Sequence, residues 1–242
     1  MSGAGILGEG HRAEILSPPQ GVLKLFRPDA PPDEAVREAA RHARALELGA
    51  PAPRLHGLAE QHGRPGILMD IAPGPLLADV LRADPDEGLA GMLRLHRAIH
   101  ARPGAGLPAL RDRFARGIAA APLAVSRRAA LAALLAALPD GDRLCHGDFH
   151  PLNVLGPPGR ELAIDWADAA CGPPLADAAQ TCVLIAPHAA DLASRYLARY
   201  AAAVGACAAD VEAWRAIAAA ARLAEAHPGE VDALRPWAEG PP

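Results

Sequence analysis

The sequence predicts an α+β chain, in which a small strand-rich part with one helix precedes a mainly helical part. Three observations carry this. Between Ile6 and Ile71, short apolar-polar segments alternate with Pro- and Gly-containing turns. One long helical pattern with clear start and stop signals interrupts them. From Leu76 onward the apolar residues recur at helical spacing instead. At 242 residues the chain can bury a sizeable core and hold two lobes, which we expect to span residues 1–72 and 73–242.

The elements follow in order. "AEILS" and "GVLKLF" flank "PPQG", a turn signal, and predict a hairpin. "PPDEAVREAARHARALELG" opens on prolines and acids and closes on Gly49, which predicts a helix. "RPGILMDI" reads as a strand after a turn. "IAPGP", Ile71 to Pro75, is the expected hinge between the two parts. In "DEGLAGMLRLHRAIHA", Leu89, Met92, Leu93 and Ile99 fall near one helix face. "SRRAALAALLAAL", "AADLASRYLARYAAAVG" and "ADVEAWRAIAAAARLAEA" predict further helices. Between them, "NVLGPPGRELAID" places two short apolar runs around Gly-Pro-Pro-Gly, which predicts a small hairpin.

Composition excludes several classes. The formal net charge is −4 and no basic cluster stands out, which argues against a nucleic-acid partner. No stretch is apolar and long enough for a membrane span, and "MSGAGILGEGH" lacks the features of a signal peptide. Four scattered cysteines without a CxxC pair suggest reduced thiols in a cytoplasmic protein. We expect a monomer or homodimer. Of the 24 Lys and Arg residues only Lys24 is lysine, and Asn153 is the only asparagine. A compact ammonium and a planar guanidinium are not interchangeable at a tight site, so a lone lysine points to a position that needs it.

The segment "RLCHGDFHPLNVLG" sets His146, Asp148 and His150 at alternate positions. One reading is a metal-dependent hydrolase that uses this cluster. Gly147 and Pro151 make a regular strand doubtful, and few further ligands lie downstream. The hairpin suggests another chemistry. If Leu155 pairs with Leu162, Asn153 and the Ile164–Asp165 end meet at its open end. An amide oxygen and a carboxylate there form a hard-oxygen site that suits Mg²⁺, completed by water and a phosphate.

"HGDFHPLNVL" followed by "AIDW" resembles the catalytic and metal-binding segments of the aminoglycoside phosphotransferase-like kinases, small-molecule relatives of the protein kinases. The resemblance covers nearly the whole chain and is strongest from Cys145 to Asp177. It implies a two-lobed protein-kinase-like fold and transfer of the γ-phosphate of ATP, with Mg²⁺, to a hydroxyl of a small molecule. Asp148 would be the catalytic base, Asn153 and Asp165 the Mg²⁺ ligands, and Asp177 a buttress for the catalytic loop. His146 would be structural, and His150 would shape the loop. "LGEGHRAEIL" supplies Gly8 and Gly10 for a loop over the phosphates, with Ala13 where a third glycine would stand. Lys24 would meet the α- and β-phosphates, and Glu38 would hold it, with Glu34 a rival. "LMDIAPG" resembles the adenine-binding hinge, with the Asp70 carbonyl and Ala72 N–H as edge contacts and Met69 behind them.

After Asp165 the chain enters a helix by about Ala178. Trp166 and Ala167 replace the Phe and Gly of the kinase Asp-Phe-Gly, and no long activation loop follows. This favours a small-molecule acceptor over the alternative, a compact atypical protein kinase. Expected pocket residues are Asp168, Arg195, Tyr196, Trp214, Glu225 and Glu230. A polycationic aminoglycoside would need carboxylates, and Glu225, Glu230, Asp232 and Glu239 are candidates. Antibiotic inactivation and metabolite phosphorylation both fit.

Overall fold

The computed structural model describes residues 5–9 and 13–240. The chain begins with a five-stranded antiparallel sheet of order β1-β2-β3-β5-β4. β1 (Gly5–Glu9) pairs with β2 (Ala13–Ser17), and β2 with β3 (Val22–Phe26). β3 pairs with β5 (Arg64–Met69), and β5 with β4 (Leu55–Gln61). The "PPQG" turn joins β2 to β3, with Gly21 N–H donating to the Pro18 carbonyl at 3.1 Å. Gly21 has φ +145°, and a Cβ there would lie 2.2 Å from the Met69 carbonyl oxygen, so only glycine lets this turn pass the end of β5.

β4 is a strand that the sequence reading passed over. It reaches β5 through His62-Gly63, with φ of 54° and 70°. Two left-handed residues in a two-residue loop give a hairpin turn that matches strand twist.

Helix α1 (Glu34–Glu47) lies between β3 and β4 in the chain. Ala35, Glu38, Ala39, His42 and Ala45 form its buried face at helical spacing. Ala35 and Ala39 pack with Phe26, Ile67 and Met69 of the sheet. Ala45 instead joins the apolar cluster of the helical part.

That part comprises α2 (Leu77–Ala83), α3 (Pro85–His100), α4 (Leu110–Ala120), α5 (Val125–Ala137), α6 (Pro174–Ile185), α7 (Ala190–Val204), α8 (Ala208–Leu223) and α9 (Pro228–Glu239). Asp84 caps α3 by accepting from the N–H groups of Asp86 and Glu87, ahead of Pro85 at the first helical position. Leu89, Met92 and Ile99 of α3 are fully buried in one cluster with Phe149, Val154 and Trp166, while Leu93 packs at its edge. Burial of side chains this large contributes about 1.5–3 kcal/mol each. A second cluster joins Phe114 and Ile118 of α4 to Trp214 and Ile217 of α8 and Leu234 of α9.

Between α5 and α6 run four short strands. β6 (Arg143–Cys145) pairs with β9 (Ala170–Gly172), and β7 (Val154–Leu155) with β8 (Leu162–Ala163). Leu155 opposes Leu162, the register read from the sequence. The 70–76 linker is tied to this hairpin: Gly156 N–H donates to the Pro75 carbonyl at 3.0 Å, and Leu76 bridges to Leu155.

Candidate active site

Lys24 stands on β3, whose register sets it opposite Ile15 and Ile67. Its ammonium is held by both Glu38 oxygens, at 2.8 and 2.9 Å, and by Asp165 Oδ1 at 3.0 Å. Lys24 and Glu38 are largely shielded from solvent, at 13% and 4% exposure. One cation therefore faces two carboxylates. Burial alone would lower the Lys24 pKa, but the charges of Asp165 and Glu38 outweigh it and hold the ammonium above its usual value. Burial pushes the Glu38 carboxyl up to about 7, with Asp165 adding to the rise and Lys24 opposing it. Glu34 is also buried and adds its charge to the surroundings of Glu38, but Lys24 bonds to Glu38.

Asp165 sits at the open end of the β7–β8 hairpin, where Ile164 N–H donates to the Asn153 carbonyl at 2.9 Å. Its φ of 62° and ψ of 70° put it in the left-handed region, an uncommon place for a non-glycine residue. Trp166, next in the chain, is fully buried, donates its indole N–H to the Ala163 carbonyl at 3.0 Å and packs against His146.

The loop before the hairpin is anchored by Phe149, which is fully buried. Asn153 Nδ2 donates at 2.9 Å to the backbone oxygen of Asp148 and also to its Oδ2. Two acceptors on one side of the amide identify that side as the NH₂. Asn153 Oδ1 and Asp165 Oδ2 are left without a hydrogen-bond partner among the described residues. An amide oxygen and a carboxylate oxygen are hard ligands, so this pair fits Mg²⁺. Burial would raise the Asp148 carboxyl. His150, whose Nε2 lies 3.6 Å from Asp148 Oδ2, and the Arg113 guanidinium outweigh burial and hold it below its usual value.

His146 and His150 do not converge with Asp148 on a metal position. His146 is fully buried; its Nδ1 accepts from Asp148 N–H at 3.3 Å and its Nε2 faces the Ile164 carbonyl at 3.0 Å. Both ring nitrogens are used, and burial lowers its pKa, which makes it a neutral imidazole. His150 Nδ1 accepts from Leu152 N–H at 3.3 Å, capping a short 3-10 turn over Pro151–Asn153.

Asp177 on α6 holds the loop from behind. Its Oδ1 accepts from Gly147 N–H at 2.9 Å, and its Oδ2 accepts from His146 N–H at 2.7 Å. The same Oδ2 faces Nε2 of His96 at 2.9 Å and of His100 at 3.1 Å. Nδ1 of these two rings meets the hydroxyls of Tyr196 and Tyr200, at 2.5 Å each. The accounting closes if each tyrosine donates to Nδ1 and each histidine donates from Nε2. Asp177 is completely buried, yet the hydrogen bonds it accepts from His96 and His100 hold its carboxyl well below its usual range. Burial lowers His96 to about 3. His96, His100 and Asp177 form the sole His/Cys/Asp/Glu cluster of metal-binding geometry among the described residues. Its donors and acceptors are already matched to one another. The two histidines went unread in the sequence; the signal was His-x-x-x-His on one helix against Tyr-x-x-x-Tyr on another.

Gly147 has φ +80°, and a Cβ there would lie 2.3 Å from the Asp168 carbonyl oxygen, so the loop seats directly on the segment after Asp165. Arg113 of α4 clamps the same junction, donating to the Gly147 carbonyl at 3.0 Å and pairing with Asp168 at 3.1 Å.

At the sheet edge, Gly8 lies in β1 opposite Ile15, with open space around its Cα. Gly10 lies outside the described residues. Met69 is buried at the end of β5. Asp70 N–H donates to the Arg54 carbonyl at 2.8 Å. Among the described residues no backbone partner takes the Asp70 carbonyl or the Ala72 N–H.

Several expected pocket residues are elsewhere. Tyr196 and Trp214 are buried in the core because helix packing claims their faces. Arg195 pairs with Asp86 at 2.5 Å, and Glu230 pairs with Arg222 at 2.9 Å. Asp168 and Glu225 do line a cavity, together with Arg41, Arg113 and Arg116.

Comparison with known proteins agrees with this architecture. A search of curated proteins finds no match. Among solved structures, a thermostable variant of aminoglycoside phosphotransferase APH(4)-Ia, in ternary complex with AMP-PNP and hygromycin B, superposes with a TM-score of 0.72. It is 19% identical over 99% of this chain and 95% of that one. Aminoglycoside-3'-phosphotransferase of type VIII gives a TM-score of 0.65 at 18% identity, over 90% of this chain and 93% of that one. A choline/ethanolamine kinase family protein from Mesorhizobium loti gives 0.60 at 19% identity, over 98% and 84%. These likenesses establish the kinase-like fold, a small antiparallel sheet joined to a mainly helical part. A family model described as "Phosphotransferase enzyme family" matches residues 15–232, nearly the whole chain, and the chain belongs to that family.

Proposed function

We propose that this phosphotransferase moves the γ-phosphate of ATP to a hydroxyl of a small molecule, with Mg²⁺. The observation that carries the reading is Lys24, held between Glu38 and Asp165 at 2.8–3.0 Å, beside an Asp148 fixed by Asn153. Phosphoryl transfer needs positioning and charge neutralisation more than covalent help. Lys24 neutralises the α- and β-phosphates, and Glu38 keeps it aimed. Gly8, in β1, is our candidate for backbone that covers the phosphates, together with Gly10 as read from the sequence. Met69, Asp70 and Ala72 receive the adenine, whose edge matches the free Asp70 carbonyl and Ala72 N–H. Asn153 and Asp165 hold Mg²⁺, which supplies positive charge to the phosphates when bound.

Asp148 takes the proton of the acceptor hydroxyl. The oxygen forms its bond to the γ-phosphorus as the bond to the bridging oxygen breaks, and ADP leaves. The low pKa direction of Asp148 keeps it ionised and ready as a base near neutral pH. We assign residues 1–72 to the nucleotide-binding lobe and 73–242 to the lobe that carries the catalytic loop and acceptor site. From Trp166 the chain reaches α6 at Pro174, which leaves little room for a peptide platform and favours a small acceptor. Four free thiols fit a cytoplasmic setting.

Asp148→Ala tests the assignment. Phosphate transfer from labelled ATP should fall about 10²–10⁴-fold, the range for a general base, while calorimetric Mg-ATP affinity stays near that of the wild type. Full turnover by this variant would refute Asp148 as the base.

A further inference from the structure

The cavity beside the active site carries a charge pattern unsuited to a polycation. It measures about 370 Å³ and opens where α1, α4, the segment after Asp165 and the end of α8 meet. Arg41, Arg113, Arg116, Asp168 and Glu225 supply its charges. It adjoins the reacting centre: Arg113 bonds the carbonyl of Gly147, the residue before Asp148, and Asp168 feels the charge of Asp148.

Three guanidiniums thus face two carboxylates. Asp168 is already engaged by Arg113 at 3.1 Å, and Arg41 donates to the Ala167 carbonyl. Arg116 is exposed and has no hydrogen bond or ion pair among the described residues. Arg113 and Arg116 lie three apart on α4 and share a face. Two of the four carboxylates a polycation would need are committed elsewhere. Glu230 is paired with Arg222, and Glu239 with Arg235, each at 2.9 Å. Of the four C-terminal acids read from the sequence, Glu225 alone lines the cavity.

We propose, resting on the phosphotransferase reading above, that the acceptor is a small hydroxyl compound bearing a carboxylate or phosphate, which docks on Arg116 while its hydroxyl reaches Asp148. A guanidinium presents a planar fork of donors that matches either anion bidentately. Arg113, tied to Gly147 and Asp168, forms the floor between that anion and the catalytic loop. Arg116 is then a specificity-determining binding residue, and a polycationic amino sugar is a poor acceptor.

Acceptors matched except for charge test this: glycerate and glycerol phosphate against glycerol, and hydroxybutyrate against butanediol, with kanamycin as the polycation. Calorimetry on the full chain with AMP-PNP and Mg²⁺ reads binding, and labelled ATP reads transfer. At least one anion should bind about 10- to 100-fold more tightly than its neutral partner, the range of one charged hydrogen-bond contact. The preference should collapse in Arg116→Ala and return in part in Arg116→Lys. Comparing glycerate with glycerol phosphate separates the carboxylate from the phosphate source. Since Arg116 is exposed, both variants should keep the wild-type thermal midpoint. Kanamycin or a neutral alcohol used as well as the anions, binding by none of the probes, or an anion preference that survives Arg116→Ala would each overturn the proposal. The two readings fail separately. Stabilisation by AMP-PNP without any anion preference removes the acceptor assignment alone, whereas no stabilisation by AMP-PNP removes the phosphotransferase chemistry and this inference with it.

Discussion

Asp177 and Asp165 flank the same loop in opposite circumstances. Asp177 is completely buried, and N–H groups of Gly147, His146, His96 and His100 surround its two oxygens. Asp165 is 36% exposed, sits in a left-handed backbone conformation, and has one oxygen on Lys24 and one without a partner. The fold completes the first carboxylate by itself and leaves the second incomplete. Burial and partner count, not residue type, separate a scaffold group from one still open to a further contact.

Three changes would break or sharpen that contrast. The largest effect belongs to Asp177→Ala. It strands buried donors from helix α3 and from the loop at His146 and Gly147, and should cost about 3–5 kcal/mol, a large fraction of a typical total stability. Urea unfolding measures it, and a loss below about 1 kcal/mol would mean that the network is not what holds the loop. On the ligand side, Lys24→Arg keeps the charge but not the compact ammonium between Glu38 and Asp165. Turnover should drop by at least about tenfold with the fold intact, and unchanged steady-state kinetics would return the lone lysine to coincidence.

The smallest effect is a pH dependence of stability. His96 is neutral when folded, with its pKa lowered to about 3, whereas the unfolded chain takes up that proton near the ordinary histidine value. Below about pH 6.5 the unfolded state therefore binds more protons, and stability falls as pH drops. The expected loss is about 2 kcal/mol between pH 7.5 and pH 5. Asp177, with its depressed carboxyl, adds a further loss only as pH falls through the ordinary carboxylate range. His96→Gln keeps an N–H donor but cannot titrate, so its denaturation midpoint should vary less over this interval. An identical slope in the variant would remove His96 from the account.

Local signals made much of this readable. Pro31, Pro32 and Gly49 bracket α1, and Gly-Pro-Pro-Gly fixed the Leu155–Leu162 register. The spacing from Lys24 to Glu38 matched a known pattern, and the two side chains meet. β4 was hidden because Gly57 and its polar residues blur strand alternation, and its His62-Gly63 turn is an uncommon hairpin pair. α2, α4 and α9 went unread, although α9 carries a capping box at His227 and Glu230. The cavity was unreadable for a different reason. Arg41 comes from α1 and Arg113 and Arg116 from α4, and only tertiary packing brings the two helices together there. Likewise, Tyr196 and Trp214 look like pocket residues until helix packing turns them inward.

Helix α1 touches the apolar clusters of both the sheet and the helical part, through Ala35 and Ala39 on one side and Ala45 on the other. On this one rod, Glu38 grips Lys24, and Arg41, a turn further on, reaches the Ala167 carbonyl and lines the cavity beside Asp168. A tilt of the rod loosens both grips in a single movement. If nucleotide and acceptor bind as proposed above, such a tilt would gear the two binding events together. Whatever factor one substrate exerts on the affinity of the other, the second must exert on the first, and that cross-talk would run through a helix that takes part in no bond made or broken.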